Sequence, residues 1–192
     1  VWYCLIFDEN GFLLSFAFSL KSRTEALSHA KSKLLRGAVV EEDASDDILN
    51  VIKALSALYD GKKAYVNLRL SFNGFSDFSK KILNLVSKIP RGQVTTYGSI
   101  ATVLGNSSAA RAVGAVVSRN PFPLIIPCHR VVKADLSIGE YSLGRLIKKM
   151  LLEKEKVVLK YNFKRKDYFV LKKFIYKFPA GAKNFRLSGG CF

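Results

Sequence analysis

Cysteine and histidine are scarce in this chain, with three cysteines and two histidines among 192 residues. Cys4, Cys128 and Cys191 form an odd set, far apart in sequence. That excludes a disulfide framework and a metal-ligand spacing, and the expectation is an intracellular, cytoplasmic protein with no bound metal. Long apolar runs are missing too: none approaches the roughly 20 residues that span a bilayer. No secretory apolar segment opens the chain, which begins at Val1 without Met. Acidic residues are few, 15 against 31 basic, for a net charge of +16. A field of that sign favours nucleic acid or another anionic partner and says nothing about fold.

What is present reads as a mixed α/β protein with enough apolar content for a real core. Residues 1–73 form a small α/β unit. Val1–Phe7 and Phe12–Phe18 are apolar, aromatic-rich strands joined by Asp8-Glu9-Asn10-Gly11, and Asn-Gly between such runs signals a hairpin. Arg23–Leu35 and Ser45–Tyr59 read as helices, the second entered through Ser45 and Asp46 as caps and ended by Gly61. Ala64–Leu70 reads as a further strand. A boundary falls at Asn73-Gly74, a turn dipeptide.

Residues 74–156 read as mainly helical. Phe75, Phe78, Ile82, Leu85, Val86 and Ile89 make one apolar stripe, stopped by Pro90 and Gly92. Short helices over 99–104 and 108–119 flank a turn at Gly105-Asn106-Ser107, the outline of a helix-turn-helix or of a plain helical hairpin. On the second, Ala109, Ala112, Val113, Val116 and Val117 share an inward face. Arg111 points the opposite way, among Ser107, Gly114, Ala115 and Ser118. One long cation on a face of small residues suits a helix pressed into a groove, and equally a solvated arginine.

The apolar run Leu124-Ile125-Ile126 then leads to Pro127-Cys128-His129-Arg130. Prolines 121, 123 and 127 are expected to hold this approach extended, as a strand carrying Cys128 to its end. A cysteine followed directly by histidine has the makings of an activated nucleophile, or of an inert core thiol. Val131-Val132 continues as a strand. The last helix, over 143–155, places Leu143, Leu146, Ile147, Met150 and Leu151 on one stripe, with Glu155 at its edge.

At this point a family resemblance enters. Asn120-Pro121-x-Pro123-x-Ile125-Ile126-Pro127-Cys128-His129-Arg130-Val131-Val132 resembles the signature of the O6-alkylguanine-DNA alkyltransferases, the methylated-DNA–protein-cysteine methyltransferases. Ile89-Pro90-x-Gly92-x-Val94-x-Thr96-Tyr97-Gly98-x-Ile100-Ala101 and Ala110-Arg111-Ala112-Val113-Gly114 fit the same family. So do Gly139-x-Tyr141-Ser142-x-Gly144 and Lys148-x-x-Leu151-Leu152-x-x-Glu155. The resemblance covers about residues 75–155. Residues 1–70 match in outline only, and those beyond about 157 do not match.

The resemblance implies an RNase H-like N-terminal domain, then a helix-turn-helix catalytic domain. Its activity is DNA repair, by one irreversible transfer of an alkyl group from O6-alkylguanine to Cys128. The implied relay is Glu155–His129–water–Cys128. Asn120 braces the loop, and Tyr97 helps turn the target nucleotide outward. Arg111 fills the gap, with Tyr97, Gly98 and Asn106 against DNA. Val131, Gly139, Tyr141 and Ser142 form the base pocket. No cofactor is implied, and the partner is double-stranded DNA carrying the lesion, met by a monomer. Leu143 stands where the family usually has glycine, which predicts a pocket lip that excludes bulky alkyl groups in favour of methyl. A non-catalytic lesion binder and a cysteine hydrolase remain as rival readings.

The extension over 157–192 is expected to hold two strands, Val157–Phe163 and Tyr168–Phe178, around Lys164-Arg165-Lys166-Asp167. From Lys156 onward it carries ten basic residues and one acidic. Its aromatics suit stacking on nucleic acid or packing on the body of the protein.

Overall fold

The computed structural model describes residues 1–34 and 46–182. Ser45 as a helix cap, Leu35 as a helix end and Cys191 lie outside the described residues. The Asp8 carboxylate shapes the first turn by accepting from the backbone N–H of Asn10 at 3.0 Å and of Phe12 at 2.9 Å. On either side, β1 (Trp2–Phe7) and β2 (Leu13–Ser19) pair antiparallel, Leu5 opposite Phe16, with a register shift between Ile6 and Phe7. β2 is buried on both faces, because helix α1 (Arg23–Lys31) covers one of them. The Ser15 hydroxyl donates across that contact to the Ala30 carbonyl at 2.8 Å. Ser22 caps α1 by accepting from Glu25 N–H at 3.1 Å, the side-chain substitute for a missing helical partner.

Helix α2 (Asp46–Tyr59) buries Leu55 and Tyr59. Gly61 follows at φ +66°, where a Cβ would stand 2.3 Å from the Lys154 carbonyl oxygen. The strand expected over Ala64–Leu70 does not form a ladder. Val66, Leu68 and Leu70 do turn inward on alternate residues, but only Leu70 bridges β2, at Leu13. Further along β2, Phe16 N–H donates instead to the Pro121 carbonyl at 2.7 Å. A distant loop therefore takes the edge position that a continuous strand would need.

Helix α3 (Asp77–Ser87), capped by Ser76, buries Ile82, Leu83, Leu85 and Val86. Phe78, expected on that stripe, is exposed, since the first turn overhangs the core. Strand β3 (Thr95–Thr96) feeds α4 (Tyr97–Val103), whose N-cap is Thr96. A 3-10 turn over Ser107–Ala109 leads into α5 (Ala110–Ser118). Val113 and Val117 are the buried residues of α5, while Ala112 is exposed rather than inward, and Arg111 is exposed. After the Cys128 loop, β4 (Val131–Val132) pairs in parallel with β3.

Helix α6 (Arg145–Lys154) packs differently from expectation. Leu146 is 75% exposed, and the buried residues are Lys148, Leu151 and Leu152, followed by Glu155. In the extension, β5 (Leu159–Asn162) and β6 (Asp167–Val170) form an antiparallel hairpin, shorter than the strands expected, with Tyr161 opposite Tyr168. A 3-10 turn over Lys172–Phe174 follows, and the chain returns to β3. There Val94 N–H donates to the Phe174 carbonyl at 2.8 Å, and Tyr176 N–H to the Val94 carbonyl at 2.7 Å.

Two apolar clusters result among the described residues. The larger runs from Ile6 and Phe16 through Ile82 and Val113 to Cys128, Leu143 and Leu151, crossing the boundary expected near residue 73. The smaller joins Val94, Val132, Ile138 and Leu152 to Val157 and Val170 of the extension. No helix among the described residues is long and apolar enough to cross a membrane.

Candidate active site

The approach to Cys128 is a folded turn, not the expected strand. Leu124 adopts φ 69°, Ile126 N–H donates to the Phe122 carbonyl at 2.8 Å, and Cys128 N–H to the Ile126 carbonyl at 2.7 Å. Prolines 121, 123 and 127 have no N–H to give a ladder, so the run curls instead of pairing. Buried Asn120 fastens the curl: its amide donates to the Ile126 carbonyl at 2.8 Å and its Oδ1 accepts Phe122 N–H at 3.0 Å. Cys128, His129 and Arg130 then form one 3-10 turn.

Behind the sulfur sits a buried charge cluster. His129 Nε2 lies 3.0 Å from Glu155 Oε1, and Nδ1 has no hydrogen-bond partner among the described residues. Arg130 grips the same carboxylate with Nη2 at 2.6 Å and Nε at 2.9 Å, while Nη1 donates to the Ile89 carbonyl at 2.7 Å. Gly92 N–H adds a contact to Glu155 Oε2 at 3.2 Å. Burial opposes charge on Glu155, yet the His129 ring and the Arg130 guanidinium outweigh it and hold the carboxyl down at about 2. Burial also lowers the pKa of His129, more than Glu155 raises it, so the imidazole is neutral at pH 7. A neutral imidazole backed by a fixed carboxylate is a ready proton acceptor.

In front lies a cavity of about 400 Å³, lined by Tyr97, Gly114, Val117, Ser118, Cys128, Lys133, Gly139, Glu140, Tyr141, Ser142 and Lys148. Cys128 is only 3% exposed, and burial pushes its thiol pKa up. Asn120, the Tyr141 hydroxyl and the Lys148 charge pull the other way. The thiol donates to the Tyr141 oxygen at 3.9 Å. Burial, then the neighbouring Cys128, push Tyr97 up to about 12, so its phenol stays a donor. Lys148 is buried, its Nζ donating to the Val131 carbonyl at 2.7 Å, and burial lowers its pKa to about 8.

Of the residues predicted from sequence, Cys128, Tyr97, Gly139, Tyr141 and Ser142 meet at this cavity, with His129, Glu155 and Asn120 packed behind it. Val131 does not line it: the side chain is wholly buried, and only its carbonyl faces Lys148. Gly98, Asn106 and Arg111 lie outside the cavity, on or between α4 and α5. Leu143 is not a pocket lip. It is buried in the larger cluster and lines no part of the cavity, so the ground for excluding bulky alkyl groups falls away. His29 is half-buried on α1.

Sequence reasoning gave no role to Arg130, Lys133 or Lys148. The signal for Lys148 was available: Lys148, Leu151, Leu152 and Glu155 recur at i, i+3, i+4 and i+7, and two charges on an inward stripe mark a functional face. Gly114 was read as a small residue beside Arg111. In the structure a Cβ there would lie 3.8 Å from the Tyr97 ring.

A family model described as 6-O-methylguanine DNA methyltransferase, DNA binding domain, matches residues 77–157. The methylated-DNA–protein-cysteine methyltransferase of Thermococcus kodakarensis is 40% identical over 163 residues, 82% of this chain and 90% of that protein. Among solved structures, the O6-methylguanine-DNA methyltransferase of Pyrococcus kodakaraensis strain KOD1 aligns with a TM-score of 0.63 and 32% identity, over 81% of this chain and 91% of its own. Mycobacterium tuberculosis OGT in complex with DNA aligns with a TM-score of 0.56 and 28% identity, over 81% and 93%.

Proposed function

The chain belongs to the methylated-DNA–protein-cysteine methyltransferase family, and from that premise we propose that it repairs O6-alkylguanine in duplex DNA by moving the alkyl group onto Cys128. The observation that carries the reading is a buried cysteine facing a base-sized cavity, with a neutral histidine and an ionised carboxylate directly behind it.

The O6 atom of a paired guanine lies inside the stack, so the base must be taken out, at a cost of a few kcal/mol that is smaller for a badly paired lesion. Helices α4 and α5 act as a helix-turn-helix on the duplex, with Gly98 and Asn106 near the backbone. Exposed Arg111 enters the space the base leaves, a known use of inserted side chains. Tyr97, at the N-terminus of α4, crowds the phosphate and donates to the extruded purine. Gly139, Tyr141 and Ser142 close around it.

His129 takes the Cys128 proton through a bridging water, and Glu155 with Arg130 holds the ring and steadies the imidazolium. The thiolate attacks the alkyl carbon, the S–C bond forms, and the C–O6 bond breaks with its electron pair going to guanine. Proton return to guanine completes the balance, so the step needs no co-reactant. A thioether is a poor leaving group, and each molecule acts once. Residues 1–73 buttress the site: Phe16 holds the Pro121 carbonyl. The complete cavity within one chain suits a monomer, and the few, scattered cysteines suit the cytoplasm.

Intact-protein mass after incubation with a methylated duplex tests this. One added methyl per chain, absent in Cys128→Ala, is the expected result. Binding without mass change would make the protein a lesion binder, and repeated turnover would make it a hydrolase.

A further inference from the structure

The extension beyond residue 157 lies outside the matched family model, yet it is built onto the rim of the cavity. The β5–β6 hairpin pairs with the segment between β4 and the pocket residue Gly139. Val170 N–H donates to the Leu136 carbonyl at 2.9 Å, and Ile138 N–H to the Tyr168 carbonyl at 3.0 Å. The face carrying Leu159, Tyr161 and Phe163 divides along its length. Leu159, opposite Val170, packs against the smaller apolar cluster. Tyr161 is 43% exposed and Phe163 84% exposed, their rings in edge contact at 5.0 Å. An apolar stripe thus runs off the end of the core into solvent. Lys160, Lys164, Arg165 and Lys166 surround it and are all exposed. The Asp135 carboxylate beside this hairpin is paired with Arg165 Nη1 at 2.9 Å.

We propose that the tip of this hairpin is a second DNA contact, gripping the backbone of the duplex whose base occupies the cavity. Lys160, Lys164 and Lys166 meet phosphates, and Phe163 packs against the sugars or an exposed base. Charge and position together choose this occupant. Each lysine that meets a phosphate releases counterions, and the rim position keeps the tip beside any strand that delivers a nucleotide to Cys128. The inference rests on the proposed repair function.

The test is anisotropy of a dye-labelled lesion duplex against salt, with the full chain, Lys160→Ala/Lys164→Ala/Lys166→Ala, and Phe163→Ala. Each lost phosphate contact lowers the log–log slope by about 0.9, so the triple variant is expected to flatten it by about 2.7. Phe163→Ala is expected to weaken binding about five-fold with little change of slope. All four residues are exposed, and a melting curve matching the parent confirms that each variant folds. If both variants keep the parent's slope and affinity, the proposal is overturned. The same holds if they lose only binding to phosphatidylserine vesicles, which would make the tip a membrane contact. Methyl transfer to Cys128 at saturating duplex is read in parallel. Transfer by the parent with an unchanged slope sinks the hairpin alone, whereas no transfer by the parent sinks the repair function.

Discussion

The Lys148 ammonium donates to the Val131 carbonyl at 2.7 Å, with only 1% of the residue exposed, in the same cavity wall as the Cys128 sulfur. The two groups help each other ionise: the lysine charge favours the thiolate, and the thiolate favours the ammonium. Lys148→Met is therefore expected to raise the thiol titration midpoint and slow methyl transfer about ten-fold or more, the equivalent of about 1.4 kcal/mol. Stability gives a second readout. Burial lowers the Lys148 pKa from 10.5 to about 8. Between those values the unfolded chain binds more protons, so stability attributable to this group rises with pH through the window. Subtracting the variant's melting profile from the parent's isolates that rise, and equal slopes would contradict it.

Glu155 predicts the opposite end of the pH scale. Its folded-state pKa is held at about 2 against an ordinary 4.5. The stability it contributes is complete above 4.5 and is lost as pH falls toward 2, on the order of 3 kcal/mol. Glu155→Gln is expected to melt lower at neutral pH, by about 3–5 kcal/mol, because Arg130 loses its partner while still largely buried. The variant then lacks the parent's further loss across the acid window, which melting curves on both proteins would reveal.

Asn120→Ala is expected to cost about 2 kcal/mol, since it strands the Ile126 carbonyl and the Phe122 N–H inside the protein. Cys128 also loses a group that lowers its pKa. Transfer should slow more than denaturant stability alone accounts for. A variant with normal transfer at saturating duplex would reduce Asn120 to a scaffold residue.

Gly61→Ala tests the joint between the first part of the chain and α6. The new Cβ would lie 2.3 Å from the Lys154 carbonyl oxygen and 3.0 Å from Glu155 N, at φ +66°. Backbone cannot yield as a flexible side chain does, so a loss of about 3 kcal/mol or more is expected in chemical denaturation. The alanine variant should also disturb transfer, because the displaced peptide bears Glu155.

Much of this was legible in the sequence. The hairpin at Asn10-Gly11, the α3 core stripe and the outward Arg111 follow from local periodicity and turn chemistry, and the cysteine motif pointed to the site. What escaped was decided by distant parts of the chain. The Ala64–Leu70 run has strand alternation, but the Pro121 carbonyl occupies the edge it would pair with. Leu124–Ile126 looks like a strand until three prolines and Asn120 curl it. In α6 the larger leucines suggested one face, whereas the buried stripe carries Lys148 and Glu155. Such a stripe is stable only because Val131 and Arg130 partner those charges, and neither partner is on the helix.

The return of Ile175 to Val94 has a consequence for the order in which the protein is made. The strand leading into Tyr97 leaves the ribosome early, but its flank is completed by one of the last described segments to emerge. A nascent chain carrying Cys128 therefore lacks the flank of the strand leading into Tyr97 until synthesis has passed the hairpin.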